Sequence, residues 1–527
     1  MSSLRHVQRC LANAQAHHGL NAFISLADRS FLEAAAQKVD SIREPGGPLN
    51  GKLIAVKDNI CTSDFPTTAA SYILKNFNSS YDATVVRRLR ESGAIITGKT
   101  NLDEFGMGSH STFSHFGSVK NPHNHHAQQP PSAGGSSGGS AVAVATSQCW
   151  ASLGTDTGGS VRLPAAYTGT IGFKPSYGLL SRHGVLAYAN SLDTVGILAR
   201  TVSTTRSVFA ALNAHDPKDP TSLPPSTRSR IAATTTTTAS SSSSAQSPRS
   251  LRIGIPTHYN PTELSPSIRT TWHATLARLH ALGHTLHAVS LPSTPAALAA
   301  YYVLAPAEAS SNLAKYDGVR YGTRAAGPDA RGGAPGAEGQ RGAEAEVLYA
   351  RTRGEGFGPE VKRRIVLGAY GLSKGARGNY FLQAQRVRRR VQEEFDTVFR
   401  VGNPLRMGVG PGELHGGLQT AGQGKDGREG EGVDVLVCPT APGLPPALDT
   451  LRERNPVDAY TNDVFTVPAS LVGLPAVSVP VPNADNSSAE GEAFPFVGMQ
   501  IIGQFGSDDL VLDVAQALEE QIVNDRA

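Results

Sequence analysis

A chain of 527 residues with 17% charged residues and a formal net charge of +4 can bury a large core and carries no basic, aromatic-rich stripe of the kind that marks a nucleic-acid surface. No uninterrupted apolar run approaches the ~20 residues a membrane-spanning helix needs, so no membrane contact is expected. The four cysteines (Cys10, Cys61, Cys149 and Cys438) show no CxxC spacing, which favours a reducing compartment and argues against a bound structural metal.

Residues 1–25 contain Arg5 and Arg9 and no acidic residue, a composition that fits a mitochondrial targeting segment. Leu4, Val7 and Leu11 also fall at helical spacing, so the same stretch reads as a first helix. Apolar periodicity then predicts a helix at 31–43, a strand at 53–57, a helix at 82–92, a strand at 94–97 and a helix at 138–149. Further on come a strand at 251–255, helices at 265–282 and 379–399, strands at 435–439, 476–480 and 496–502, and a helix at 507–524. This alternation predicts an α/β fold, with a mixed or parallel sheet beneath helices. Residues 225–249 are a Thr/Ser-rich low-complexity segment, expected as a disordered stretch or surface loop. Segments 325–344 and 407–432 are rich in glycine and charge and read as surface insertions. The α/β pattern resumes after each, so residues 26–527 are expected to form one large domain.

The chemistry concentrates in Gly154-Thr-Asp-Thr-Gly-Gly-Ser160. Two glycines before Ser160 let backbone N–H groups converge beside a hydroxyl, a geometry that suits a nucleophile with an oxyanion hole. A serine needs a base. His110, His115 and His123–His126 sit in polar loops without a carboxylate at an informative spacing, and Gly158-Gly-Ser-Val-Arg162 does not match the G-x-S-x-G elbow. Lys57, at the end of the apolar run Leu53-Ile-Ala-Val56, is the better base: burial would lower its pKa and free a neutral amine. A lysine there could equally snorkel to solvent or pair with Asp58. The cluster Gly134-Gly-Ser-Ser-Gly-Gly-Ser140 decides for the first reading, because a flexible linker is not followed at once by an apolar helix former such as Ala141-Val-Ala-Val144. A serine in that turn could relay a proton between lysine and nucleophile.

These three segments resemble the amidase signature family. The resemblance implies an amidase signature fold and a Ser–cis-Ser–Lys triad, with Ser160 as nucleophile, Ser136 as the cis-serine relay and Lys57 as base. It also implies an oxyanion hole from the N–H groups of Thr157, Gly158 and Gly159. Within the family, Tyr301-Tyr302, Ala307-Glu-Ala-Ser-Ser-Asn-Leu313, Gly356-Phe-Gly-Pro-Glu-Val-Lys-Arg-Arg-Ile365 and Tyr460-Thr-Asn-Asp-Val-Phe-Thr-Val-Pro-Ala469 resemble the glutaminase components, the A-type subunits, of glutamyl-tRNA(Gln) amidotransferases. Leu163, where bacterial members usually carry glutamine, is similar to the mitochondrial branch, which implies a mitochondrial matrix location. The stretch 123–132 is longer than the family pattern.

That resemblance implies a glutamine pocket of Tyr301 (or Tyr302), Arg364 and Asp463. A guanidinium pairs with the α-carboxylate and a carboxylate with the α-ammonium. Taken alone, Lys362-Arg-Arg364 reads as a solvated helix face. The resemblance further implies no cofactor in this chain. A partner B subunit would use ATP and Mg²⁺ to amidate Glu-tRNA(Gln), braced by a small third subunit. Two readings compete with this one: a free-standing amidase acting on small amides, and a non-catalytic assembly component. The intact lysine and serines count against the last.

One motif is a decoy. Gly93-Ala-Ile-Ile-Thr-Gly-Lys-Thr100 matches the phosphate-loop pattern, but its middle is strand-like and its helix precedes it. It is expected to be a helix–turn–strand that binds no nucleotide.

Overall fold

The computed structural model describes residues 2–41, 47–124, 129–240, 250–326, 349–406, 432–453, 460–485 and 494–525. Its strands are β1 (Phe23–Leu26), β2 (Leu53–Lys57), β3 (Ile95–Thr100), β4 (Ala151–Asp156), β5 (Ile171–Lys174), β6 (Thr194–Ala199), β7 (Arg252–Pro256), β8 (Thr285–Val289), β9 (Val435–Pro439), β10 (Ala476–Pro482) and β11 (Phe496–Gly503). The helices of the first half are α1 (Ser3–Ala16), α2 (Arg29–Ser41), α3 (Thr84–Glu91), α4 (Gly138–Ala145), α5 (Arg162–Thr168), α6 (Val202–Leu212) and α7 (Pro225–Ser240). Those of the second half are α8 (Pro266–Ala281), α9 (Thr294–Asn312), α10 (Ala350–Gly356), α11 (Pro359–Leu372), α12 (Phe381–Val398), α13 (Leu448–Glu453), α14 (Val467–Val472) and α15 (Asp508–Asn524).

All eleven strands join one sheet in the order β1-β3-β2-β4-β6-β5-β10-β11-β9-β7-β8. It is mixed: β2 runs parallel to β3 and β4, and β7 parallel to β8 and β9, while every other neighbour is antiparallel. Both faces are covered. Along β2, Ile54 and Val56 enter the main core, whereas Ala55 enters a second cluster with Val142, Val144 and Val161. Alternating side chains thus feed two helical layers, which is why these strands read as unbroken apolar runs. The structure is the α/β fold with a central mixed sheet that the sequence predicts.

The N-terminal stretch forms α1, capped by the Ser2 side chain. Its Val7 and Cys10 pack with Leu32 and Ala36 of α2 and with Leu53 and Ile95. One expectation differs. Within 225–249, residues 225–240 are helical rather than a loop, with Thr227 buried. Proline at the helix start suits its fixed φ, and Arg228 ties the first turn to the carbonyls of Leu223 and Leu179. Residues 241–249, and nearly all of the segments 325–344 and 407–432, lie outside the described residues.

The phosphate-loop decoy resolves as expected into α3, a turn and β3. Lys99 is fully buried and bonds Thr67 Oγ1 (2.8 Å), the Pro66 carbonyl and the Asp58 carboxylate (3.2 Å). Its charge is consumed inside the fold.

Candidate active site

Lys57 ends β2, a strand buried along its whole length. Burial pushes its pKa down to about 7, against the opposing pull of Asp103, Asp156 and Asp193. Its Nζ lies 2.7 Å from Ser136 Oγ, 2.8 Å from Ser137 Oγ and 3.0 Å from Thr155 Oγ1. Ser137 directs its own proton to the Thr155 carbonyl oxygen at 3.2 Å, so it accepts from Lys57. A neutral amine that gives its N–H groups to Ser137 and Thr155 keeps its lone pair for Ser136. Asp58 is engaged by Lys99, which removes the alternative pairing of Lys57 with its neighbour.

The peptide between Gly135 and Ser136 is cis. Ser137 N–H donates to the Ser160 carbonyl oxygen at 3.1 Å, joining the two glycine-rich turns. Exposure rises from 0% at Lys57 through 1% at Ser136 to 8% at Ser160. The serine beyond the two glycines is therefore the most accessible of the three.

Among the described residues, the N–H groups of Thr157, Gly158, Gly159 and Ser160 donate to no protein acceptor, whereas Val161 N–H reaches the Asp156 carboxylate at 3.2 Å. Unpaired amides gathered in one turn form a ready cradle for negative charge. Glycine is required here by crowding. A Cβ on Gly158 would sit 2.6 Å from Tyr301 Cζ, and one on Gly159 (φ +153°) would collide with the Thr466 side chain.

A buried arginine holds this turn in place. Arg162 gives Nε and Nη2 to the two oxygens of Asp156 (3.0 and 2.9 Å), and its remaining donors reach Thr466 O, Gln500 Oε1 and Ser470 Oγ. Burial works to raise the Asp156 carboxyl, but the guanidinium overcomes it and keeps the acid below its ordinary range. Replacing Arg162 with methionine would strand a buried carboxylate. An expected loss of about 3–5 kcal/mol in unfolding free energy, read by urea denaturation, checks this; a loss below about 1 kcal/mol would contradict it.

On the other side of Gly158 lie the residues expected to bind glutamine, all buried: Tyr301 (4% exposed), Arg364 (2%) and Asp463 (6%). Arg364 Nε pairs with Glu360 Oε1 at 2.8 Å and Nη1 with Tyr188 OH at 2.6 Å. Its guanidinium also stands 5.4 Å from the Tyr302 ring and 5.5 Å from that of Tyr460. Asp463 accepts from Ser109 Oγ (2.7 Å) and Tyr302 OH (2.9 Å). Burial raises its carboxyl to about 6, opposed by those two hydrogen bonds and by Arg364. Thr466 Oγ1 donates its one proton to the Gly158 carbonyl (2.7 Å) and also lies 3.1 Å from the Asp463 carbonyl oxygen, linking these residues to the nucleophile turn.

The structure thus brings every predicted site residue into one region and splits the two tyrosines: Tyr301 covers Gly158, and Tyr302 holds Asp463. Sequence reasoning missed Ser137, Thr155, Asp156 and Arg162, although all four lie within or beside the quoted motifs. It also missed Glu360, although it lies within the quoted 356–365 motif at i,i+4 spacing from Arg364, and Ser109 and Tyr188, for which no local signal exists. Among the described residues, no group of three or more His, Cys, Asp or Glu is placed to hold a metal ion, and no helix is long and apolar enough to cross a membrane.

The amidase family profile matches residues 5–512. The A-type component of the mitochondrial glutamyl-tRNA(Gln) amidotransferase of Coccidioides posadasii is 58% identical over 99% of this chain and 99% of its own length, and that of Emericella nidulans is 55% identical over 99% and 100%. The chain belongs to the amidase family. Among solved structures, this amidase superposes on the A-type component of the glutamyl-tRNA(Gln) amidotransferase of Thermotoga maritima with a TM-score of 0.69 at 30% identity, covering 98% of this chain and 91% of that one. A further crystal structure, of an amidase, matches at TM-score 0.71 and 27% identity, covering 99% and 96%.

Proposed function

We propose that this amidase is the glutamine-hydrolysing component, the A-type subunit, of a mitochondrial glutamyl-tRNA(Gln) amidotransferase. Ser160 attacks the side-chain amide of glutamine while its proton passes to Ser136 and from there to neutral Lys57. The N–H groups of Thr157, Gly158 and Gly159 receive the oxyanion. Collapse of the tetrahedral intermediate expels ammonia, and water releases glutamate from the Ser160 ester. The ammonia then serves a B subunit that uses ATP and Mg²⁺ to convert Glu-tRNA(Gln) to Gln-tRNA(Gln), with a small third subunit bracing the pair. This chain itself takes no cofactor in the reaction. Residues 1–25 act as the mitochondrial address, while α1 and the start of β1 remain part of the one large α/β domain that carries the site.

The observation that carries this reading over a general amidase is the buried pair of opposite charges, Arg364 and Asp463, beside Gly158. Arg364 has Nη2 free of protein partners among the described residues, open to an α-carboxylate, while Asp463 suits an α-ammonium. A fatty or aryl amide has neither group. Substituting Asp463→Asn is expected to remove about 2–5 kcal/mol of ground-state binding and so to raise KM for glutamine roughly 30-fold or more, with a smaller change in kcat. Steady-state glutaminase assays of the assembled complex measure this. Unchanged KM, or faster turnover of simple aliphatic amides than of glutamine by the unmodified complex, would favour the free-standing amidase.

A further inference from the structure

Helix α11 has two contrasting faces. Inward, Glu360, Val361, Arg364 and Gly368 are buried, and Gly368 presses on the Pro306 carbonyl of α9 so closely that no Cβ would fit. Outward, Val366 (67% exposed), Leu367 (48%), Tyr370 (59%) and Leu372 (37%) stand open to solvent, continued by Tyr380 (47%) and Leu382 (37%) at the start of α12. These belong to one surface: the rings of Tyr370 and Tyr380 meet edge-on at 5.8 Å. The connecting turn is held by its own backbone, with Ser373 N–H on Tyr370 O, Arg377 N–H on Ser373 O and Tyr380 N–H on Ala376 O. The surface is built and preorganised, not a frayed end.

Its charge has a single sign. No Asp or Glu occurs between 361 and 392, and Lys362, Lys374, Arg377 and Arg386 are exposed around the apolar residues. We propose that the outer faces of α11 and α12 seat a partner protein of the complex that presents an apolar stripe flanked by Asp and Glu. Apolar contact supplies the affinity and the cationic rim the orientation and the rate of encounter. Nucleic acid fits less well, because most of this face is aliphatic (Val366, Leu367, Leu372 and Leu382), and its two rings, Tyr370 and Tyr380, pack edge-on against each other. The proposal rests on the amidotransferase reading, in which ammonia must pass to a second protein. Arg364 lies on the same helix, one turn from the exposed apolar residues, so a partner seated there would stand against the wall of the glutamine pocket.

The test is assembly of the full chain with the remaining components of the amidotransferase, followed by size-exclusion chromatography and titration calorimetry. Val366→Asp with Tyr370→Asp is expected to keep the Tm and the far-ultraviolet spectrum of the unmodified chain while weakening assembly at least about tenfold. Lys374→Glu with Arg377→Glu is expected to slow association and flatten its salt dependence. Assembly of both variants with unmodified affinity would overturn the proposal. So would binding of the unmodified chain to vesicles of phosphatidylcholine and cardiolipin that the Val366→Asp, Tyr370→Asp variant loses while still assembling. If the unmodified chain neither assembles nor supports glutamine-dependent transfer, the amidotransferase reading itself fails and the docking surface falls with it. Intact assembly and transfer in the variants would overturn the docking surface alone.

Discussion

Replacing Ser160 with alanine is expected to abolish glutamine-dependent formation of Gln-tRNA(Gln) by the assembled enzyme while leaving the ammonia-dependent reaction close to normal. The expected loss is about 10⁴-fold or more, the scale seen when a nucleophile is removed from a catalytic unit. The split follows from the division of labour: Ser160 forms and breaks the bond to glutamine, and the later amidation needs only free ammonia. The substitution removes one oxygen from a turn held by Arg162, Asp156 and Thr466, so the fold should be preserved. Rates with glutamine and with ammonium chloride, measured on the same preparation, give the answer. Loss of both activities in a correctly assembled complex would refute the proposed division.

The second large effect concerns Lys57. Lys57→Met should lower kcat for glutamine hydrolysis by about 10²–10⁴-fold, the usual worth of a positioned base. In the unmodified enzyme, the amine is productive only when neutral. Burial brings its pKa down to about 7, so kcat/KM should rise with pH through that value and level off above it. Below it the ammonium form predominates and cannot accept the proton from Ser136. A profile flat from about pH 6 to about pH 8.5 would sink this assignment, as would an Lys57→Met enzyme retaining roughly a tenth of normal activity. Arginine at this position is no conservative rescue, because a guanidinium stays protonated in this range.

Legibility varied along the chain for physical reasons. Strands β2, β9, β10 and β11 were readable because both of their faces are buried, which leaves continuous apolar runs. Strand β4 is expected between the helix that follows the Ser136 turn and the Ser160 turn, but hydropathy does not mark it, because Ala151-Ser-Leu-Gly-Thr-Asp156 spends its sequence on the site: Thr155 holds Lys57 and Asp156 holds Arg162. The apolar segment after Ser160 reads as able to open a helix, and α5 forms there, but with Pro164 within its seven residues its extent carries no periodicity. The run Lys362-Arg-Arg364 looked like a solvated face, and two of its three members are partly or fully exposed. Helical rotation turns the third inward to Glu360 and Tyr188, a distinction that composition does not carry.

By itself, the sequence determined the fold class and singled out Ser160, Ser136 and Lys57 as the proposed nucleophile, relay and base, because glycine-rich turns and a lysine closing a buried strand are local features with local causes. It also carried the cationic bias of residues 361–392. Only the tertiary structure decided that Lys57 turns to Ser136 rather than Asp58, that Ser137 and Thr155 also meet its amine, and that Arg364, Tyr302 and Asp463 gather in one buried cluster near the nucleophile turn. Those contacts join segments far apart in the chain. Their geometry comes from how the sheet and helices pack, and no short-range pattern records it.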